Sequence, residues 1–142
     1  MEKEKHILLL AGGGGHTGFA YALAQRLEDK ASMLFLIPEG DNLSYERLSG
    51  FGKVDYIPKP RGAKTPAAEF TYNLARAFAV SMKKVTRNFD VAVSTGSNFC
   101  IPPALVAFLK GIPIVNIEGE ARFIGASKTA HILHPLSAIT AL

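Results

Sequence analysis

A chain of 142 residues, 48% of them hydrophobic and only 20% charged, is the length of one domain with one packed core and is too apolar to be disordered. Its formal charge of +4 is mild: it suits an anionic partner such as a phosphorylated substrate or an acidic membrane surface without requiring one, and no nucleic-acid partner is expected. The single cysteine, Cys100, excludes an internal disulfide and points to a reducing compartment, and no cysteine and histidine spacing resembles a zinc site, so neither a metal nor another cofactor is expected.

The charged start Met1-Glu2-Lys3-Glu4-Lys5 passes straight into a strand-length run, unlike a signal peptide. Strand patterns are expected at His6 to Ala11, Ser32 to Ile37, Val54 to Pro58, Val91 to Ser94 and Ile114 to Ile117, with a weak last one at Ala138 to Leu142. Helical patterns fill most of the gaps, at Gly18 to Asp29, Leu43 to Leu48, Thr65 to Asn88 and about Cys100 to Lys110. In the third of these, Pro66 is expected in the first turn after a Thr65 cap, and Phe70, Leu74, Phe78, Met82 and Val85 form a stripe read as core. The alternation of strand and helix predicts an α/β fold, a parallel sheet with helices on both faces. The longest apolar segment, Ile101 to Leu109, is too short to cross a bilayer, so any membrane contact is expected to be peripheral.

In an open parallel sheet, ligands sit beyond the carboxyl ends of the strands, where strand order reverses. Three loops there stand out. The first, Gly12-Gly13-Gly14-Gly15-His16-Thr17-Gly18, joins an apolar strand to a helix start. Residues without Cβ let the backbone approach a phosphate, and the free N–H groups of a helix's first turn point at it. A bare strand-to-helix turn would need a single glycine, so four in a row favour anion binding. His16 can take a proton near neutral pH and is a candidate general base, against the plainer reading of a surface or capping histidine. The second loop, Ser94-Thr95-Gly96-Ser97-Asn98, is small and hydroxyl-rich and reads either as a binding loop or as an ordinary turn and cap. The third, Glu118-Gly119-Glu120-Ala121-Arg122, is a charged cluster directly after a buried strand; Glu118 and Arg122 either pair with each other or join the same edge as His16. The basic stretch Pro58-Lys59-Pro60-Arg61-Gly62-Ala63-Lys64 reads as a solvated connection or as a patch for head groups or pyrophosphate, and His131 and His134 carry no assigned role.

One competing motif overlaps the first loop. Gly13-x-Gly15-x-x-Gly18 satisfies the dinucleotide fingerprint, and Glu39 follows the next strand where a ribose-binding acid belongs, which would make the chain the dinucleotide-binding domain of an NAD-dependent oxidoreductase. That match leaves the other two loops unexplained. A further alternative is a non-catalytic scaffold that recruits an enzyme to a membrane.

Taken together, Gly-Gly-Gly-Gly-His-Thr-Gly after the first strand, Ser-Thr-Gly-Ser-Asn-Phe-Cys-Ile-Pro after the fourth and Ile-Glu-Gly-Glu-Ala-Arg-Phe after the fifth resemble the oligosaccharide biosynthesis proteins of the asparagine-linked glycosylation pathway. The resemblance is to the acceptor-binding, membrane-recruiting subunit of a split UDP-N-acetylglucosamine transferase. A more distant likeness runs to the N-terminal half of MurG-type glycosyltransferases. The resemblance implies a Rossmann-like domain over residues 1–142, equivalent to the N-terminal half of a GT-B enzyme, which works with a separate nucleotide-sugar-binding glycosyltransferase subunit on a lipid pyrophosphate-linked sugar acceptor. It also implies a cytoplasmic location at the inner face of the cell membrane. By position it makes His16 and Glu118 catalytic candidates and Gly14, Gly15, Thr17, Gly96, Asn98 and Arg122 acceptor-binding candidates. Eukaryotic members carry an N-terminal membrane anchor that has no counterpart at the start of this sequence. The last residues, Ala138-Ile139-Thr140-Ala141-Leu142, fall inside the expected final strand, without the tail by which the family is expected to grip its partner, so the expectation is either a longer parent protein or a partner contact made differently.

Overall fold

The computed structural model describes residues 3–12, 15–59, 66–96, 98–117 and 139–141. In chain order they form β1 (Lys5–Leu10), α1 (Gly15–Leu27), β2 (Ala31–Pro38), α2 (Asn42–Leu48), β3 (Lys53–Ile57), α3 (Ala67–Lys84), β4 (Val91–Ser94), a 3-10 turn (Asn98–Cys100), α4 (Ile101–Leu109), β5 (Ile114–Ile117) and β6 (Ile139–Ala141). The six strands make one sheet in the order β3-β2-β1-β4-β5-β6, and every neighbouring pair is parallel. The order runs outward from β1 in one direction and then resumes from β4 in the other, so the crevice between the ends of β1 and β4 is the switch point of the fold.

The expected α/β architecture is therefore the observed one, and the period-2 pattern of β1 explains how it is covered. Ile7, Leu9 and Ala11 face a cluster that includes Ala20 and Ala24 of α1 and Leu48 of α2, whereas Leu8 and Leu10 face Ala77 of α3 and Ala104 and Ala107 of α4. A strand buried on both faces has to be apolar throughout, and Leu8, Leu9 and Leu10 are fully buried. Each contributes about 1.5–3 kcal/mol of apolar burial. The alanines let the helices approach the sheet closely.

Several sequence expectations need correction. Helix α1 starts at Gly15, three residues before the expected Gly18, so His16 and Thr17 belong to its first turn and not to a loop. Pro66 is the N-cap of α3 in an extended conformation, not its first helical residue; it needs no N–H there, and its carbonyl accepts from the N–H of Phe70 at 2.9 Å. Thr65 lies outside the described residues. The stripe on α3 is core only in part. Phe70, Leu74 and Phe78 are half-buried, Met82 is 52% exposed, and Val85, just past the helix, is fully buried in the core as expected; within the helix the buried positions are Ala77 and Ser81. Small side chains at the contact with α4 displace the buried face by about one residue from the large apolar ones. Helix α3 ends at Lys84, short of the expected Asn88, and Val85 caps it in an extended conformation.

Polar ties hold α3 in place. Lys84 bridges to the Asp55 carboxylate at 2.5 Å and donates to the Tyr56 carbonyl at 2.8 Å. Burial pushes the Asp55 carboxyl up, but the hydrogen bonds from Lys84 and the Tyr56 N–H and the charges of Lys84 and Lys53 outweigh it and leave it below the ordinary aspartate value. Lys110, capping α4, donates to the carbonyls of Met82 and Val85, where the last turn of α3 has no partners of its own.

Candidate functional site

The site is built from the chain segments that leave β1, β4 and β5 at their carboxyl ends. Ala11 still pairs with β2 through its N–H to the Leu36 carbonyl at 3.1 Å. Gly12 then turns the chain at φ +152°, and a Cβ there would lie 2.9 Å from Pro38 Cγ, closer still to Pro38 Cδ, and 3.2 Å from Asp41 Oδ2. The first glycine of the run is thus explained by close approach to the β2–α2 turn alone. Two residues of the run, Gly13 and Gly14, lie outside the described residues, and Gly15 opens α1.

His16 is half-buried in the first turn of α1, and its Nδ1 lies 2.5 Å from the carbonyl oxygen of Thr95, across the switch point. A carbonyl can only accept, so Nδ1 carries the proton and donates it. In the neutral ring Nε2 is then the bare nitrogen, the tautomer a general base requires. Gly96, next to Thr95, has φ +87°, and a Cβ there would stand 3.2 Å from the carbonyl oxygen of Ile117 and 3.9 Å from His16 Cε1. Glycine at this position serves both a left-handed backbone and a close approach of β4's loop to the end of β5. His16, Gly96 and the end of β5 are therefore gathered at one edge of the sheet, as the loop positions in the sequence predict.

The hydroxyls of Ser94 and Thr95 turn inward, and Ser97 lies outside the described residues. Thr95 donates from its N–H and its Oγ1 to the Leu10 carbonyl, at 3.2 and 2.9 Å, and Cys100 Sγ reaches the same oxygen at 3.6 Å. Ser94 Oγ accepts from the Gly96 N–H at 3.3 Å, and Ser94 and Thr95 are both buried. These groups lock the end of β4 to the end of β1 and so fix the carbonyl that holds His16. Asn98 begins the 3-10 turn. Thr17, also singled out in the sequence, is 2% exposed, and its hydroxyl lies 2.6 Å from that of Ser44 on α2. Glu118, Arg122 and Gly14 lie outside the described residues.

Two features went unread in the sequence. Asn116, on β5, is 0% exposed, and neither atom of its amide has a hydrogen-bond partner among the described residues. It lies beside Ser94 in the sheet register and on the α3/α4 face, two residues from Ile114. An asparagine inside the apolar run Pro113-Ile114-Val115-Asn116-Ile117 was the available signal. The other is Asp41, whose carboxylate accepts from the N–H of Ser44 at 3.1 Å and from its hydroxyl at 2.6 Å. The Asp-x-x-Ser spacing of a helix N-cap was legible there.

The geometry also bears on the dinucleotide reading. The third glycine of that fingerprint exists so that helix and strand can pack closely, yet a Cβ on Gly18 would meet nothing within 4 Å. Glu39, the supposed ribose acid, is engaged with Arg76 at 3.1 Å. Gly18→Ala is accordingly expected to leave the fold and the activity of the assembled protein intact and to raise stability by about 0.5–1 kcal/mol, since alanine is the better helix former. Thermal denaturation checks this; a loss of stability would restore a packing role for Gly18. Among the described residues no group of histidine, cysteine, aspartate and glutamate could hold a metal ion, and no helix is long and apolar enough to cross a membrane.

No protein-family model matches the chain. Among curated proteins it is 30% identical to the UDP-N-acetylglucosamine transferase subunit ALG14 of Candida albicans, over 95% of this chain and 68% of that protein. It is 34% identical, over 82% of its length, to the UDP-N-acetylglucosamine--N-acetylmuramyl-(pentapeptide) pyrophosphoryl-undecaprenol N-acetylglucosamine transferase of Protochlamydia amoebophila, of which it spans only 33%. Among solved structures, MurG of Acinetobacter baumannii superposes with a TM-score of 0.78 at 20% identity, over 97% of this chain and 40% of that one. At that identity the likeness speaks for the fold: a Rossmann-like sheet matching part of a GT-B glycosyltransferase.

Proposed function

Since the chain belongs to the ALG14 family of UDP-N-acetylglucosamine transferase subunits, we propose that it holds a lipid pyrophosphate-linked sugar acceptor and presents it to a separate chain that binds UDP-N-acetylglucosamine. The observation that carries this reading is the bond from His16 Nδ1 to the Thr95 carbonyl, which sets a bare imidazole nitrogen at the switch point beside a glycine-rich helix start. The relative from Protochlamydia amoebophila, whose name specifies a pyrophosphoryl-undecaprenol acceptor, supports the choice of acceptor.

In this mechanism the first-turn N–H groups of α1, with Gly14 and Gly15, receive the acceptor pyrophosphate at the positive end of the helix dipole. Thr17 sets the start of that helix, and Gly96, Asn98 and Arg122 complete the acceptor's surroundings. The hydroxyl oxygen of the acceptor sugar attacks the anomeric carbon of N-acetylglucosamine. His16 Nε2 takes the hydroxyl proton while the bond from the anomeric carbon to UDP breaks, its electron pair leaving with the diphosphate, and the configuration inverts. Glu118, the next residue in the chain after β5, assists there. Peripheral contact with the inner face of the cell membrane belongs to the same proposal. It is supported by exposed Tyr72, Met82, Phe108 and Leu109 on α3 and α4, apolar surface that the described residues leave uncovered.

Calorimetry on the isolated chain tests the division of labour. Binding of UDP-N-acetylglucosamine is expected to be weak, and a soluble pyrophosphate-linked acceptor analogue is expected to bind. Tight one-to-one binding of the nucleotide sugar would overturn the split arrangement.

A further inference from the structure

The first turn of α1 is pinned on two sides, and on the second the mechanism above uses Thr17 alone, not the residues that hold it. On one side His16 is tied to Thr95. On the other, Thr17 and Ser44, 2% and 1% exposed, sit 2.6 Å apart, and Ser44 Oγ lies 2.6 Å from Asp41 Oδ2. The direction of this chain follows from proton count. A carboxylate only accepts, so the one hydroxyl proton of Ser44 goes to Asp41. Ser44 Oγ must then accept, and the proton between the two hydroxyls belongs to Thr17. The result is a one-way relay, Thr17 to Ser44 to Asp41, ending on a charge that strengthens both bonds. Asp41 is itself held: its carboxylate caps α2 through the Ser44 N–H, its own N–H donates to the Pro38 carbonyl at 3.2 Å, and Gly12 abuts both Pro38 and Asp41.

We infer that Asp41, Ser44 and Thr17 are positioning residues for His16, a hydrogen-bonded strut that fixes the rotation of the first turn of α1 so that Nδ1 meets the Thr95 carbonyl and Nε2 stays bare. Thr17 is the neighbour of His16 on the helix and points to the opposite anchor. A turn free to rotate on that side would lose the 2.5 Å contact on the other. The strut's effect on catalysis rests on the reading of His16 as the base; its effect on the imidazole does not.

The test exploits that separation. In the full chain labelled with 15N-histidine, at alkaline pH where imidazole is neutral, the Nε2 resonance of His16 is expected at the position of a bare nitrogen. In Thr17→Val, which keeps the shape and loses the donor, and in Ser44→Ala, the His16 nitrogens are expected to move toward a mixture of the two tautomers, and Thr17→Ser is expected to restore the original pair. With the partner chain added, Ser44→Ala is expected to lower kcat on the order of tenfold to a hundredfold while the KM for acceptor stays within a few fold, as for a misplaced catalytic group. Unchanged nitrogen signals in both Thr17→Val and Ser44→Ala overturn the strut. Shifted signals with undiminished turnover uphold it and instead overturn His16 as the base. Should Thr17→Val fail to fold, Ser44→Ala with the Thr17→Ser comparison carries the same decision.

Discussion

Replacing His16 with alanine lowers the turnover of the assembled transferase by about a hundredfold to ten-thousandfold, the range removed with a positioned general base. The expectation rests on what the fold has done to this ring. Its Nδ1 proton is committed to the Thr95 carbonyl, and that carbonyl belongs to a residue locked by two hydrogen bonds to the end of β1. Alanine removes the proposed base without touching the lock, because Thr95 keeps its own bonds to Leu10. Partner association and acceptor KM should therefore stay within a few fold, and the loss should fall on kcat. A raised acceptor KM with kcat preserved would make His16 a binding group, and an activity unchanged in both respects would remove it from the site and transfer the role of base to Glu118. Under the proposed division of labour the measurement is made with the partner chain present.

How much of this was legible in the sequence depends on what each residue was answering to. The sheet was readable because a strand buried on both faces must be apolar at every position, and Ile7 to Leu10, Met33 to Ile37 and Val91 to Val93 are. The ends of the helices were less so. A glycine run carries no helical signal, yet tertiary anchors at His16 and Thr17 start α1 at Gly15. On α3 the large apolar residues suggested the buried face, but the contact with α4 selected Ala77 and Ser81 and left Met82 in solvent, because close helix packing depends on small side chains that hydrophobic counting overlooks. At the site, chain order placed three loops at one edge of the sheet. Nothing local revealed that Thr95 would orient His16 from 79 positions away, or that Ser44, from 27 positions away, would hold Thr17. The glycines of the run looked alike in sequence, and the two that the structure describes are not: Gly12 answers to Pro38 and Gly15 opens a helix, whereas Gly18, outside the run, has room for a Cβ among the described residues.

That division among the glycines yields the second large effect. Gly12→Ala is expected to destabilise the protein by about 3 kcal/mol or more, the upper end of overpacking combined with a backbone conformation that resists a side chain. The new methyl would sit 2.9 Å from Pro38 Cγ and nearer to Cδ, and a pyrrolidine ring bonded into the last residue of β2 cannot swing aside as a flexible side chain would. Nor can Gly12 retreat, because the residue before it is bonded to Leu36 in the sheet and φ at Gly12 is already +152°. Relief requires the β2–α2 turn to move, and that turn carries Asp41 and, through Ser44, the anchor of Thr17. The variant should accordingly show more than a lower melting temperature: below its transition the nitrogens of His16 should shift as they do in Ser44→Ala. A melting temperature within a degree or two of the parent would mean that the turn yields freely. The first glycine would then be available to a ligand, and not reserved for the strand beside it.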